Sequence, residues 1–164
     1  MEIYILRHGA AEEAHGGMRD ADRALTPEGA KKLQPVLRRA RAIDVRPPVI
    51  LTSPYRRARE TAQVAAEELR NGSKLVESRA LTPDSSPEAV WDEIRVHKTV
   101  AQIMIVGHEP LLSSVYAYLL GAALVQIDVK KGSLGRIYVD RFSGQPRGVL
   151  RWLIHPKLAG DSGG

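Results

Sequence analysis

Ile3-Tyr4-Ile5-Leu6-Arg7-His8-Gly9 is an apolar run that stops abruptly at a cation, an imidazole and a glycine. The run reads as a short, fully apolar strand. A strand ending this way holds a candidate nucleophile where an open sheet usually presents its ligand site. The arrangement suits a phosphate. Three residues are a weak motif, and a strand-end histidine is commonly structural, so the rest of the chain must supply partners.

Outward from this stretch, strand and helix signals alternate. A polar, glycine-bearing segment to about Arg23 reads as an active-site loop. Thr26 has the form of an N-cap with Pro27 at the first helical position, and Ala30, Leu33, Leu37 and Ala40 follow on one apolar face. Pro48 to Thr52 is a second apolar strand. Ser53-Pro54 repeats the cap-plus-proline start for a helix to about Arg70, with Ala58, Ala62, Ala65 and Leu69 on its buried stripe. Ser86 to His97 reads as a third helix, Ala101 to Val106 as the most strongly apolar strand, and Glu109-Pro110 as the start of a helix through Leu120. Leu124 to Val129, Leu134 to Val139 and Val149 to Ile154 read as closing strands between glycine-rich turns. The alternation implies a single three-layer α/β/α domain, residues 1–156, on a mostly parallel central sheet, with 157–164 as a flexible C-terminal tail.

Composition narrows the function. At 164 residues and 43% hydrophobic content the chain buries one core, and a second domain is not expected. A formal charge of +5 and a pI of about 9.7 favour an anionic partner. The absence of cysteine excludes disulfides and thiolate catalysis. No basic-apolar leader precedes the first strand and no run is long enough to span a bilayer, so a cytoplasmic protein with no membrane partner is expected. A nucleic-acid-binding module fits the charge, but 5% aromatic content and a lack of stacking motifs argue against it. No histidine pair has ligand spacing, so no metal site is expected.

Three polar clusters fall at strand ends: Arg7-His8-Gly9, Ser53-Pro54 with Arg57 one helical turn on, and Gly107-His108-Glu109. Parallel strands would bring all three to one edge of the sheet. Arg57 neighbours the buried stripe of its helix instead of the outer face, a costly place for a guanidinium unless an anion meets it.

Arg7-His8-Gly9, Leu25-Thr26-x-x-Gly29, Ser53-Pro54-x-x-Arg57-Ala58-x-x-Thr61 and Gly107-His108, in this order across about Met1 to Leu120, together resemble the histidine phosphatase superfamily, also called phosphoglycerate mutase-like. Within it they are most similar to the short bacterial SixA-type phosphohistidine phosphatases. Lys131-Gly132-Ser133 before a strand is a further similarity. The resemblance implies the phosphoglycerate mutase-like fold and a phosphatase that needs no metal or cofactor. It implies that His8 attacks phosphorus and becomes phosphorylated, one ring nitrogen unprotonated and the other held by a backbone carbonyl. It further implies that Arg7, Arg57 and His108 grip the non-bridging oxygens, with Arg23 as a fourth contact and Gly9 beside them in phosphate binding. Phosphoryl transfer is mainly positioning and charge stabilisation, so cations around a nucleophile suffice before water hydrolyses the intermediate.

The leaving group narrows the substrate. A monoester expels an alkoxide that needs a general acid, whereas phosphohistidine expels an imidazole that can already carry a proton. The segment between Thr61 and Ala101 is short and holds no clear counterpart of the acid-bearing insertion of larger relatives. Glu109 is the candidate donor and Asp84 a weaker one; the competing reading makes Glu109 a helix cap. The expectation is a monomeric phosphohistidine phosphatase acting on a phosphorylated protein. A small-molecule phosphomonoesterase is the alternative within enzymes, and a silent phosphoprotein-binding scaffold the alternative outside them. His15, His97 and His155 read as non-catalytic, Ser53 as a cap, and Arg56 as an i+4 partner of Glu60.

Overall fold

The computed structural model describes residues 1–160. Six strands form one sheet: β1 (Glu2–Arg7), β2 (Val49–Thr52), β3 (Lys74–Glu77), β4 (Gln102–Gly107), β5 (Leu134–Tyr138) and β6 (Val149–Ile154), in the order β3-β2-β4-β1-β5-β6. The first four in that order run parallel, and β5 is antiparallel to β1 and to β6.

Residues 3–6 and 103–106 are buried without exception, because helices cover both faces of the sheet. Side chains alternate between the faces. Tyr4, Leu6, Met104 and Val106 pack under α1 (Pro27–Ala42) and α2 (Arg56–Leu69), against Leu33, Leu37, Ala62 and Leu69. Ile3, Ile5, Ile103 and Ile105 pack under α3 (Pro87–Val96) and α4 (Leu111–Leu120), against Val90, Trp91, Leu112 and Val115. The expected three-layer α/β/α architecture is the observed one. Thr26 and Ser86 cap α1 and α3 by accepting from the amides of Gly29 and Ala89.

Three local expectations are corrected, and one strand is present that the sequence reading lacked. Leu124 to Val129 forms no strand; the slot beside β1 belongs to β5, and Leu124 is 96% exposed while Val129 plugs the α3/α4 core. β3 gives no sequence signal, being short, exposed and charged at both ends, and exists because β2 offers it a ladder. α2 starts at Arg56 with Tyr55 as its N-cap residue, so Ser53 is not a helix cap. Pro156–Ala159 forms a short helix, α5, with Ala159 buried and its carbonyl accepting from Arg39 Nε, so the expected tail is docked over its first residues. Residues 161–164 of that tail lie outside the described residues.

Registry sets up the site. Arg7 pairs with Gly107, Thr52 with Val106, and Leu6 with Leu134, which in turn pairs with Ile154. The residues just past β1, β2, β4 and β6 and just before β5 therefore share one edge.

Candidate active site

His8 leaves β1 with its amide still bonded to the Gly107 carbonyl, and its side chain is only 6% exposed. Its Nδ1–H donates to the Gly9 carbonyl at 2.7 Å, which leaves Nε2 unprotonated. Arg57 Nε lies 3.4 Å from Nε2 and donates to it. Burial pushes the His8 imidazole down to about 4, aided by the Arg57 and Arg7 charges and opposed by the Gly9 bond, so the ring is neutral at pH 7. The carbonyl that the resemblance called for is present.

His108 follows β4 and is 1% exposed, its ring centroid 5.0 Å from that of His8 and 5.1 Å from that of Tyr55. Ser53 Oγ lies 2.8 Å from His108 Nε2 and accepts from the Tyr55 amide. A hydroxyl has two lone pairs as well as its proton, so this bond runs from Ser53 to Nε2 in one ring tautomer and from Nε2–H to Ser53 in the other. The His108 Nδ1 has no partner among the described residues. Burial, then the charges of His8 and Arg57, pushes the His108 imidazole down to about 3. Ser53 thus holds the His108 ring and caps no helix.

Arg57 is buried to 5% exposure and donates one N–H from each terminal nitrogen to Asp20, Nη1 to the carbonyl at 2.7 Å and Nη2 to the carboxylate at 3.0 Å, which leaves a second N–H on each. The Tyr55 ring lies 5.1 Å from its guanidinium carbon. Arg23 is joined to Arg57 through Asp20. Its Nη1 donates to the other Asp20 oxygen at 2.8 Å and its Nε to the Glu12 carbonyl at 2.7 Å, because the loop turns the guanidinium back on itself. Asp20, which sequence reasoning missed, joins the two arginines; the one available signal was the Asp-x-x-Arg spacing of Asp20 and Arg23.

Gly9 is also reassigned. Its N–H donates to Thr61 Oγ1 at 3.1 Å and is not free for phosphate. A Cβ on it would lie 2.7 Å from Leu25 Cδ1, and one on Gly29 would strike the Ala10 carbonyl oxygen, so the two motif glycines let the loop after β1 lie against the start of α1. Thr61 donates in turn to the Arg57 carbonyl. Arg56 pairs with Glu60 at 2.8 Å as expected, and Glu60 also accepts from the Leu25 amide, stapling that motif to α2.

Arg7 donates through Nη1 to the Val129 carbonyl at 2.7 Å, and its Nε is buried without a partner. The Gly132 amide, in a positive-φ turn, donates to the Arg7 and His8 carbonyls, which explains the Lys131-Gly132-Ser133 motif as backbone support. Glu109 Oε1 accepts from the Ser113 amide at 2.7 Å in the first turn of α4, the capping reading. Asp84 is exposed on a surface turn, and His155 caps α5 through Nδ1. Among the described residues no group of three His, Asp or Glu is placed to hold a metal ion, and no helix is long and apolar enough to cross a membrane.

Two neutral histidines and two buried or half-buried arginines at the carboxyl edge of a parallel sheet define an enzyme of phosphate chemistry. Residues 3–82 match the family model of the histidine phosphatase superfamily (branch 1), and the chain belongs to that superfamily. An uncharacterized protein of Picosynechococcus sp. (strain ATCC 27264 / PCC 7002 / PR-6) is 33% identical over 111 residues, 67% of each chain. The structure of the protein histidine phosphatase SixA complexed with tungstate superposes with a TM-score of 0.85 at 24% identity, covering 96% of this chain and 98% of that one. A structure assigned as phosphohistidine phosphatase SixA from Agrobacterium tumefaciens gives 0.81 at 25% identity, covering 94% and 97%.

Proposed function

We propose that this phosphatase removes phosphate from a phosphohistidine-bearing protein by way of a covalent intermediate on His8. The Nε2 lone pair forms a bond to phosphorus as the P–N bond of the substrate breaks, and the departing ring, its other nitrogen already protonated, keeps the electron pair and leaves as neutral imidazole. With Ser53 donating to His108 Nε2, the ring proton stands on the unpartnered Nδ1; Arg57, Arg7 and that Nδ1–H supply donors to the non-bridging oxygens, and the uncapped N-terminus of α2 adds its dipole. Water then attacks phosphorus, the bond to Nε2 breaks, its electron pair returns to the ring, and inorganic phosphate leaves.

The observation that carries this reading is the commitment of both carboxylates near the histidines. Glu109 is engaged as a cap of α4. The Arg23 and Arg57 guanidiniums hold the Asp20 carboxyl below the usual range, so it is ionised at neutral pH. Neither is disposed to protonate an alkoxide, and a phosphohistidine needs no such acid. The likeness to SixA structures supports the same choice.

The test is a side-by-side assay on a phosphohistidine protein and on para-nitrophenyl phosphate. The expected result is faster turnover of the phosphohistidine, a similar change on both substrates in Glu109→Gln, and loss of activity and of the acid-labile, base-stable label in His8→Ala. Preference for the monoester with a selective loss in Glu109→Gln would instead establish a small-molecule phosphomonoesterase. Unchanged turnover in His8→Ala would overturn the covalent scheme.

A further inference from the structure

Beside the catalytic pair, at the same edge of the sheet, lies a groove of about 1050 Å³ between the first turns of α1, the turn before β5 and α5. It is far larger than a phosphoryl group requires, and Arg7 and Gly9, the residues on either side of His8, are part of its lining. Lys31, Lys32, Lys130, Lys131 and Lys157 line it as well, all exposed, and Glu28 is its one carboxylate. Lys32 is paired with Glu28 at 2.8 Å and Lys130 with Asp128 at 2.9 Å. Lys31, Lys131 and Lys157 meet no carboxylate among the described residues, so the rim carries uncompensated positive charge.

Below the rim, Ala10, Pro35 and Pro156 are half-buried and Gly29 is buried. An apolar floor under a cationic rim fits a polypeptide that brings methylenes and carboxylates together, as a glutamate-rich segment does. A nucleic acid would want a surface for its bases, and no Phe, Tyr or Trp lines the groove.

We infer that this groove docks an acidic segment flanking the phosphohistidine of the substrate protein, an inference that rests on the function proposed above. The phosphorylated side chain enters past Arg7 while neighbouring carboxylates lie along the lysines. Docking there selects the protein substrate without touching the reacting atoms, so it acts on KM and leaves kcat alone.

The experiment compares wild type with the double variant Lys31→Glu, Lys157→Glu, two exposed sites outside the catalytic cluster. Three substrates are used: a phosphohistidine peptide with glutamates on both sides, the same peptide with glutamines, and phosphoramidate. Anisotropy of a dye-labelled, unphosphorylated glutamate-rich peptide reads binding independently of turnover. In the variant, kcat/KM on the glutamate-flanked peptide and affinity for the labelled peptide should each fall by about tenfold at low ionic strength, with the other two substrates within about twofold. Added salt should erase the difference. Equal use of the two peptides by wild type, or equal slowing of all three substrates in the variant, would overturn the inference. So would a single-stranded oligonucleotide that binds more tightly than the peptide and loses affinity in the same variant. Acidic-peptide binding without turnover of any phosphohistidine substrate would sink the proposed function while leaving the groove's preference for acidic chains standing.

Discussion

Acidification should destabilise this protein through His8 and His108. Burial holds both rings neutral, with pKa values pushed down to about 4 and about 3, whereas each returns to near 6.5 in the unfolded chain. Between those limits the unfolded state binds protons that the folded state refuses. Stability therefore falls as pH drops through 6.5 and continues to fall until the folded-state values are reached; well above 6.5 the two rings contribute no slope. Two pH units below the unfolded value each ring costs about 2.7 kcal/mol, so the pair costs roughly 5 kcal/mol, comparable with the whole stability of many domains. The assay is urea unfolding from about pH 7.5 to about pH 4.5, for wild type and for the double variant His8→Gln, His108→Gln. Carboxylates titrate alike in both proteins and cancel in the comparison. Near pH 5 the wild-type slope should exceed that of the variant by an uptake of about two protons on unfolding. Parallel curves would refute the reasoning, because they would mean that the rings charge freely inside the folded protein.

Two further substitutions probe how the site is held. Ser53→Ala removes the 2.8 Å bond to His108 Nε2 and leaves both ring nitrogens of a buried histidine without a protein partner. It should lower unfolding free energy by about 1–3 kcal/mol and kcat by more than about tenfold; an unchanged kcat would show that the Ser53–His108 bond is irrelevant to turnover. Gly29→Ala drives a methyl into the Ala10 carbonyl oxygen and should cost about 1–3 kcal/mol by thermal melting. Gly160→Ala, with open space around its Cβ position, is the control expected to be near neutral.

The apolar strands and capped helices were legible because their signals are local. Ile3 to Leu6 and Ile103 to Val106 carry burial on both faces in their own composition, and Thr26-Pro27 and Ser86-Pro87 write helix starts in two residues. β3 was not legible, since Leu75-Val76 between two charged residues is too short an apolar signal for a strand that exists through its ladder to β2. Leu124 to Val129 misled for the converse reason: its apolar residues suit a strand, but β5 occupies the place beside β1. In the site, Arg7, His8, Arg57 and His108 announced themselves by motif, whereas Asp20 sits in a polar loop where one more aspartate is unremarkable.

The sequence alone determined the kind of sheet, the order of the four motifs and hence the superfamily, because hydrophobic runs, caps and short motifs are written in neighbouring residues. Tertiary structure decided how those residues are used. Ser53 lies 55 positions from His108 yet bonds to its ring, Asp20 reaches Arg57 across 37 positions, and the Gly9 amide turns to Thr61 across 52. Such pairings arise only when parallel strands align their ends, so no window of sequence contains them. The pKa values of the two histidines follow the same logic: burial among other elements, which the imidazole's own neighbours in sequence do not encode, is what keeps both rings neutral.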